Sequence, residues 1–429
     1  MTPKCYRNVC SLLTVAVTRT SGFRVPLHGR PFRSGSGSGS RSSSSCCARS
    51  RHSASIASTK NEINYMYIDT DETFWNACDQ WNESSALAFD IECEFNRHRY
   101  GTHLCLIQLS DGDNIFIVDP TAIQNLDPLW DILESENEVI VHSPGSDISL
   151  LDKIYGRRPT NLFCTEMAAR LLGYEKPSLS FLLEKYFGKQ KQETLSTSDW
   201  FQRPLSRELL KYAALDVAFL HQLKAILVSE LKEKSRLQWH EEECNEMKQF
   251  RYRESINPHL RIKGSKNLSY EEAHVLKHLF EVREEVAKDT DKPPYHIIPN
   301  TMLLHLAQNP PARLHTWKTM KGVHPYVRKQ YSVRFHQAVM DAKTSTPEQF
   351  ESTSSGDILS DRDETKAEIL EQIRTRISID YPDVGNLVLS KRASDRLAAG
   401  HITLLDLRNW QRTIVLRIGM ELDLDMSLF

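Results

Sequence analysis

The 429-residue sequence has no apolar run near the eighteen or so residues that a membrane-crossing helix requires, the longest early candidate being the short Cys10–Val17 stretch. No membrane span is expected. Its nine cysteines include no Cys-x2-Cys pair and no Cys/His spacing of the metal-binding type, which excludes both a disulfide framework and a structural zinc site. A reducing compartment such as the cytoplasm follows. Acidic residues are missing from positions 1–60, which hold ten Lys and Arg. Setting these aside leaves 44 basic against 56 acidic residues, so the body carries about −12 beneath a formal net charge of −2. A body that acidic cannot hold nucleic acid by overall charge. Binding would rest on local basic surfaces and on cations that neutralise carboxylates.

Residues 1–65 are rich in Arg and Ser, contain the low-complexity run Ser34–Ser45 and show no periodicity, the pattern of a disordered extension. Acid-free, Arg- and Ser-rich N-termini are also what mitochondrial and plastid transit peptides look like. Both readings stand. Met66, directly before Tyr67-Ile68-Asp69-Thr70, marks where a folded pattern begins.

From Ala86 the apolar runs Ala86–Phe89, Leu104–Leu109, Ile115–Val118 and Val139–Val141 are strand-length and bounded by polar or turn residues such as Ser110-Asp111-Gly112. Leu129, Trp130, Ile132 and Leu133 recur at helical spacing between the third and fourth. This order predicts an α/β domain, a mixed sheet flanked by helices, over residues 66–240.

Three groups of side chains in this domain could carry chemistry. The first strand leads into Asp90-Ile91-Glu92-Cys93-Glu94, and residues two apart on a strand face the same way, so Asp90 and Glu92 present two carboxylates together. Such a pair repels without a cation. Glu92/Glu94 is the alternative pair, and two solvated acids the plain one. The second group is His142-Ser-Pro-Gly-Ser-Asp147, which puts Asp147 near a helix start, where a helix-capping acid would also sit. His142 reads as a satisfied strand-end histidine. The third is Tyr212-Ala-Ala-Leu-Asp216, behind Pro204 and a predicted N-cap at Ser206, with both side chains on one helical face. Alone, each group is weak.

Together and in this order they resemble the three exonuclease motifs of the DEDD superfamily, tyrosine subclass. The stretches Leu106-Ile-Gln-Leu109, Val118-Asp119-Pro120 and Ser198-Asp199-Trp200-Phe-Gln-Arg203-Pro204-Leu205 narrow the likeness to the ribonuclease D family. The likeness covers about residues 66–230 and departs in two places: Cys164-Thr165 stands where the family commonly has Asp-Thr, and Asp90 lies one residue further from Leu106 than usual. It implies a ribonuclease H-like fold and metal-dependent 3′-to-5′ cleavage of RNA with a free 3′ end, transfer-RNA precursors included, into nucleoside 5′-monophosphates. It also implies two divalent ions, Mg2+ or Mn2+. Asp90, Glu92 and Asp216 would hold one ion, Asp90 would bridge, Asp147 would place the second, and Tyr212 would orient the attacking water. Arg203 and Arg97 are candidate contacts to substrate phosphates, each with an ordinary ion-pair alternative.

Beyond Leu268 the pattern is helical. Ala273, Leu276, Leu279 and Val282 mark one apolar face, and Met302, Leu303, Leu306 and Ala307 another. No acid occurs between Lys292 and Met340, and Arg313, Lys318, Lys321, Arg328, Lys329 and Arg334 are interleaved with His315, Trp317, Tyr326 and Tyr331. Basic residues among aromatic faces suit a nucleic-acid strand, Lys321, Arg328 and Lys329 being the chosen candidates. Charge runs are also ordinary solvated faces, and Trp317 reads as core. Residues 267–342 resemble the helicase-and-RNase-D C-terminal (HRDC) domain. A Ser/Thr-rich linker (343–365) leads to a second helical set, 366–429, that resembles a weaker copy. Two rivals remain: a DNA exonuclease with the same chemistry, and a non-catalytic RNA-binding scaffold.

Overall fold

The computed structural model describes residues 63–347 and 363–429; the segment on which the organelle-import reading rests, and most of the linker, lie outside the described residues. Six strands, β1 (Met66–Ile68), β2 (Ala86–Phe95), β3 (Thr102–Ser110), β4 (Ile115–Val118), β5 (Glu138–Val141) and β6 (Leu162–Cys164), form one mixed sheet in the order β1-β4-β3-β2-β5-β6. The antiparallel half is local. Asp111 accepts the backbone N–H groups of Asp113 and Asn114 at 2.9 and 2.7 Å, closing the turn from β3 to β4. The parallel pairs β1/β4, β2/β5 and β5/β6 need crossovers instead. Helices α1 (Asp71–Glu83), α2 (Asp127–Leu133) and α3 (Gly145–Tyr155) lie on these connections, and α4 (Thr165–Leu171), α5 (Leu179–Phe187), α6 (Arg207–Ala218), α7 (Leu220–Glu233) and α8 (Leu237–Met247) follow β6.

The alternation of β2 decides where the chemistry sits. Leu87, Phe89 and Ile91 enter an apolar cluster with Phe74, Trp81 and Leu151. Ala88 enters a different cluster, with Val217 and Leu220. Asp90 and Glu92 are in phase with Ala88 and therefore face α6.

Strand β2 runs well past Phe89, so the acids lie inside a strand and not at its end, a correction to the expected boundary. Pairing with β3 carries the polar residues along, from Asp90 opposite Gln108 to Phe95 opposite Thr102. Between them Glu92 faces Leu106 and Cys93 faces Leu104, leaving Cys105 unpaired in a β-bulge.

The stretch Arg207–Glu233 is long and apolar enough by composition to cross a membrane. Its apolar residues Leu209, Ala213, Val217, Leu220, Leu223 and Leu227 are instead buried in the α/β domain's own core.

The first helical set comprises Tyr270–Thr290, Pro294–Ile297, Asn300–Gln308, Leu314–Thr319 and Pro325–Thr344. A capping box of Ser269 and Glu272 starts it. Leu276, Leu279, Leu303, Trp317 and Phe335 form its core. Of the expected face, Ala273, Leu276 and Leu279 are buried, but Arg283 turns inward beside the half-buried Val282 and donates to Asn300 Oδ1 at 2.6 Å. The second set, Glu364–Asp380, Gly385–Val388, Lys391–Ala398 and Asn409–Glu421, shares one apolar cluster with α4, α5 and α7. Trp239 stacks on Trp410 at 4.6 Å, and Asp383 pairs with Lys234 and Arg236 at 2.8 Å each.

Candidate active site

Four carboxylates and a phenol from three elements converge on the α6 side of β2. Asp90 and Glu92 come from β2. Asp147 lies in the first turn of α3, reached from β5 through Ser143, whose φ of 56° lies in the left-handed region. Tyr212 and Asp216 stand one turn apart on α6, which Ser206 caps by accepting the N–H of Leu209 at 3.2 Å. Leu209, Ala213 and Val217 hold the same helix against the sheet, and the small Ala88 lets it approach.

The electrostatics are those of acids forced together. Burial, then the charges of Asp216, Asp147 and Glu92, raise Asp90 well above the usual carboxylate range. Burial and Asp216 push Glu92 up to about 9. Asp147 rises to about 7 through burial, with Asp216 adding to it. Burial lifts Asp216 to about 6 against the opposing pull of Lys191. Among the described residues, no three of these four carboxylates bring one oxygen each within 4.8 Å of one another.

Two residues that sequence reasoning did not single out complete the site. Lys191, on the non-helical segment after α5, donates its ammonium to Asp216 Oδ1 and sits 4.1 Å from the centre of the Tyr212 ring. Its side chain is only 11% exposed. Its positive charge also acts on the Tyr212 hydroxyl, opposing the rise that burial gives it. Nothing in Gly188-Lys-Gln-Lys-Gln192 distinguishes Lys191 from Lys189; only the fold does. Gln108, quoted above merely as part of a motif, is fully buried directly across from Asp90, and its amide has no partner among the described residues.

Divalent cations fit this donor set. Asp216 is 2% exposed, yet its Oδ2 is buried with no hydrogen-bond partner among the described residues. A buried carboxylate oxygen without a hydrogen-bond partner is suited to act as a cation ligand. The donors around it are all oxygen, the preference of Mg2+ and Mn2+.

Neighbouring candidates take structural roles. Glu94 is spent on its own loop: it accepts the N–H of His98 at 2.8 Å and a ring nitrogen of His98 at 2.8 Å, besides the N–H of Arg97. The Glu92/Glu94 alternative therefore falls. Glu94, His98 and Asp199 do bring three ligand atoms within 4.8 Å, but Glu94 is already satisfied. His142 bonds Thr165 Oγ1 at 2.9 Å, and burial lowers it to about 4, as for a neutral strand-end histidine.

Arg203 requires a correction. Its guanidinium is committed to Asp119, to the bulge carbonyl of Cys105 at 2.7 Å and to the carbonyl of Trp200 at 2.8 Å. It locks the Trp200 segment beside Tyr212 and has no reach to spare for substrate. Arg97 is exposed, and its carbonyl accepts the Tyr295 hydroxyl at 2.8 Å. In the first helical set Lys321 and Lys329 are exposed, Arg328 is half-buried, and Lys292 lies 5.5 Å from the exposed Tyr326 ring. Arg334 leaves this surface, paired with Glu285 at 2.6 Å and Asp289 at 2.9 Å. Trp317 is core, stacked on Phe335.

Residues 65–232 match the family described as 3′-5′ exonuclease, and residues 272–339 match the HRDC domain. A ribonuclease D of Shewanella sp. is 34% identical over 263 residues, covering 59% of this chain and 66% of that one. An exosome complex component 10 homolog of Drosophila melanogaster is 26% identical, covering 66% of this chain and 32% of its own length. The chain thus spans just under two thirds of the first relative and about a third of the second. Among solved structures, Escherichia coli RNase D, described as an exoribonuclease involved in structured RNA processing, matches with a TM-score of 0.64 at 23% identity, covering 83% of this chain and 99% of that one. That likeness supports the ribonuclease H-like sheet and the helical C-terminal part as a fold.

Proposed function

The chain belongs to the ribonuclease D family of 3′-5′ exonucleases with an HRDC domain, and on that premise we propose that it shortens RNA from a free 3′ end, releasing nucleoside 5′-monophosphates. The observation that carries the reading is the convergence of Asp90, Glu92, Asp147, Tyr212 and Asp216 on one side of β2, with Oδ2 of Asp216 buried and without a hydrogen-bond partner among the described residues. Two divalent ions bound there would neutralise charge building on the phosphoryl oxygens and make a hydroxide nucleophile available near neutral pH.

The protein's own part is holding and aiming. Asp90, Glu92 and Asp216 would hold one ion, and Asp90 with Asp147 would help hold the second. Tyr212 is fixed by its helix and by the neighbouring Trp200 ring, 5.9 Å away, so its hydroxyl can orient the attacking water by hydrogen bond. The four acids must give up protons to bind cations, so their raised pKa values make ion uptake favour higher pH.

Arg97, Lys321, Arg328 and Lys329 serve as contacts to the RNA strand, with Tyr326 as an aromatic face beside them. Residues 366–429 act as a second HRDC-like module. The support is their order of a long helix, a one-turn helix, a two-turn helix and a final long helix, which parallels the first set. Transfer-RNA precursors with 3′ extensions are the substrates to try first.

The test is degradation of a 5′-labelled single-stranded RNA beside a matched DNA, with Mg2+, Mn2+ or EDTA. The expected result is a metal-dependent ladder from the 3′ end, stronger on RNA and absent in Asp216→Ala. Faster cleavage of the DNA would move the substrate. RNA bound but intact under every condition would make the protein a scaffold.

A further inference from the structure

We propose that Lys191 is the resident counter-cation of the metal-free site and that divalent ions bind by displacing it. The inference rests on the metal-dependent reading above and adds a competitor built into the chain.

Three observations carry it. The Lys191 ammonium contacts Asp216 Oδ1 and the ring face of Tyr212, the two residues that α6 contributes to the site. Its charge acts on Asp90, Glu92 and Asp216 alike. The carboxylates around it stay too far apart for any three to share one small ion, although each keeps its neighbours' charge in view.

Physical chemistry connects these points. Four neighbouring acids, one buried and three half-buried, cannot all ionise without cations among them, and a single ammonium relieves that repulsion only in part. A divalent ion brings more charge, takes oxygen ligands at about 2.1 Å and must draw the carboxylates inward. Lys191 and that ion then compete for the charge of one carboxylate, Asp216. The ammonium stands on a segment with no helix or strand, between the αL cap Gly188 and the short 3-10 turn Glu193–Thr197, so it can leave without unmaking an element. The buried Oδ2 of Asp216, bare on the other side, gives an arriving ion its first foothold.

The site is therefore poised rather than empty, and its cation affinity is set partly by a lysine that is not a ligand. Removing that positive charge lets ions bind more tightly and makes the metal-free protein less stable. Retaining it keeps the protein folded when divalent ions are scarce.

Two measurements on the full chain test this. First, Mn2+ binding by calorimetry at fixed pH, with melting temperature in EDTA and in saturating Mn2+, is compared for wild type and Lys191→Gln. Tighter Mn2+ binding by about tenfold or more is expected, on the scale of one unit charge a few ångströms away, with a lower melting temperature in EDTA that Mn2+ restores. Second, in wild type alone, acylation of lysines by an amine-reactive ester is followed by peptide mass spectrometry, with Lys189 as the internal reference. Lys191 should be protected in EDTA and become several-fold more reactive as Mn2+ is added. Unchanged or weaker Mn2+ binding in Lys191→Gln, or a Lys191 that stays protected in saturating Mn2+, overturns the proposal while leaving the nuclease reading standing. Wild type that takes up no Mn2+ at all overturns both.

Discussion

Asp383 and Asp216 are both acids that pair with basic side chains of this chain, and they are treated in opposite ways. Asp383, where the second helical set meets the α/β domain, receives Arg236 through both oxygens and Lys234 as well, and these hydrogen bonds hold its carboxyl far below the usual range. Asp216 receives one ammonium, keeps one oxygen bare and is raised by burial. The first carboxylate is finished by its own chain. The second is left for something else to finish, and local rules broken without compensation are a mark of function.

The largest break in that comparison should come from the unfinished acid. Asp216→Ala removes a donor from the site, and we expect RNA hydrolysis to fall by about 10³-fold or more, with binding of uncleaved RNA, followed by fluorescence anisotropy, nearly unchanged. Tyr212→Phe removes only the hydroxyl that aims the water. About 10²-fold in single-turnover rate is expected, with little change in apparent affinity.

The finished acid should give the reverse outcome. Asp383→Ala strands Arg236, whose side chain is 10% exposed, so stability should drop by about 1–3 kcal/mol, measured by urea unfolding. Turnover of short RNA by the folded fraction should stay at the wild-type value. A smaller effect is expected at the basic face of the first helical set. Reversing Arg328 and Lys329 to Glu should weaken long RNA by about tenfold in moderate salt and flatten the salt dependence. Cleavage of very short RNAs is the control; equal loss on both lengths would remove this surface from the binding path.

The last contrast is in pH. Raised folded-state pKa values mean that the site acids favour folding at low pH, and that this contribution is lost as pH rises through about 6 for Asp216, 7 for Asp147 and 9 for Glu92. Asp119 behaves oppositely. Arg203, Thr121 and Tyr67 hydrogen bonds outweigh its burial and hold it near 2, so its contribution is present above about 4 and lost as pH falls through about 2. In EDTA the melting temperature should decline from pH 6 to pH 9, and saturating Mn2+ should reduce that decline.

What the sequence made legible follows from two periodicities. The period of two on β2 pairs Asp90 with Glu92, and the one-turn spacing on α6 pairs Tyr212 with Asp216. Asp147 was legible from its place after an apolar strand. The far end of β2 was not, because its residues are mostly polar and take strand form by pairing to β3. Lys191 was not legible either, since it lies where no periodicity exists. Arg203 takes its ion-pair alternative, whose partner Asp119 is 84 residues away in the chain and reaches it only through the folded sheet.

The most direct test is where Mn2+ binds. Anomalous diffraction from wild-type crystals soaked in Mn2+ with a non-hydrolysable RNA 3′ end should place the ion signal among Asp90, Glu92, Asp147 and Asp216, with the Lys191 ammonium withdrawn from Asp216. Signal confined to Glu94, His98 and Asp199, or none beside an RNA end seated elsewhere, would contradict the account.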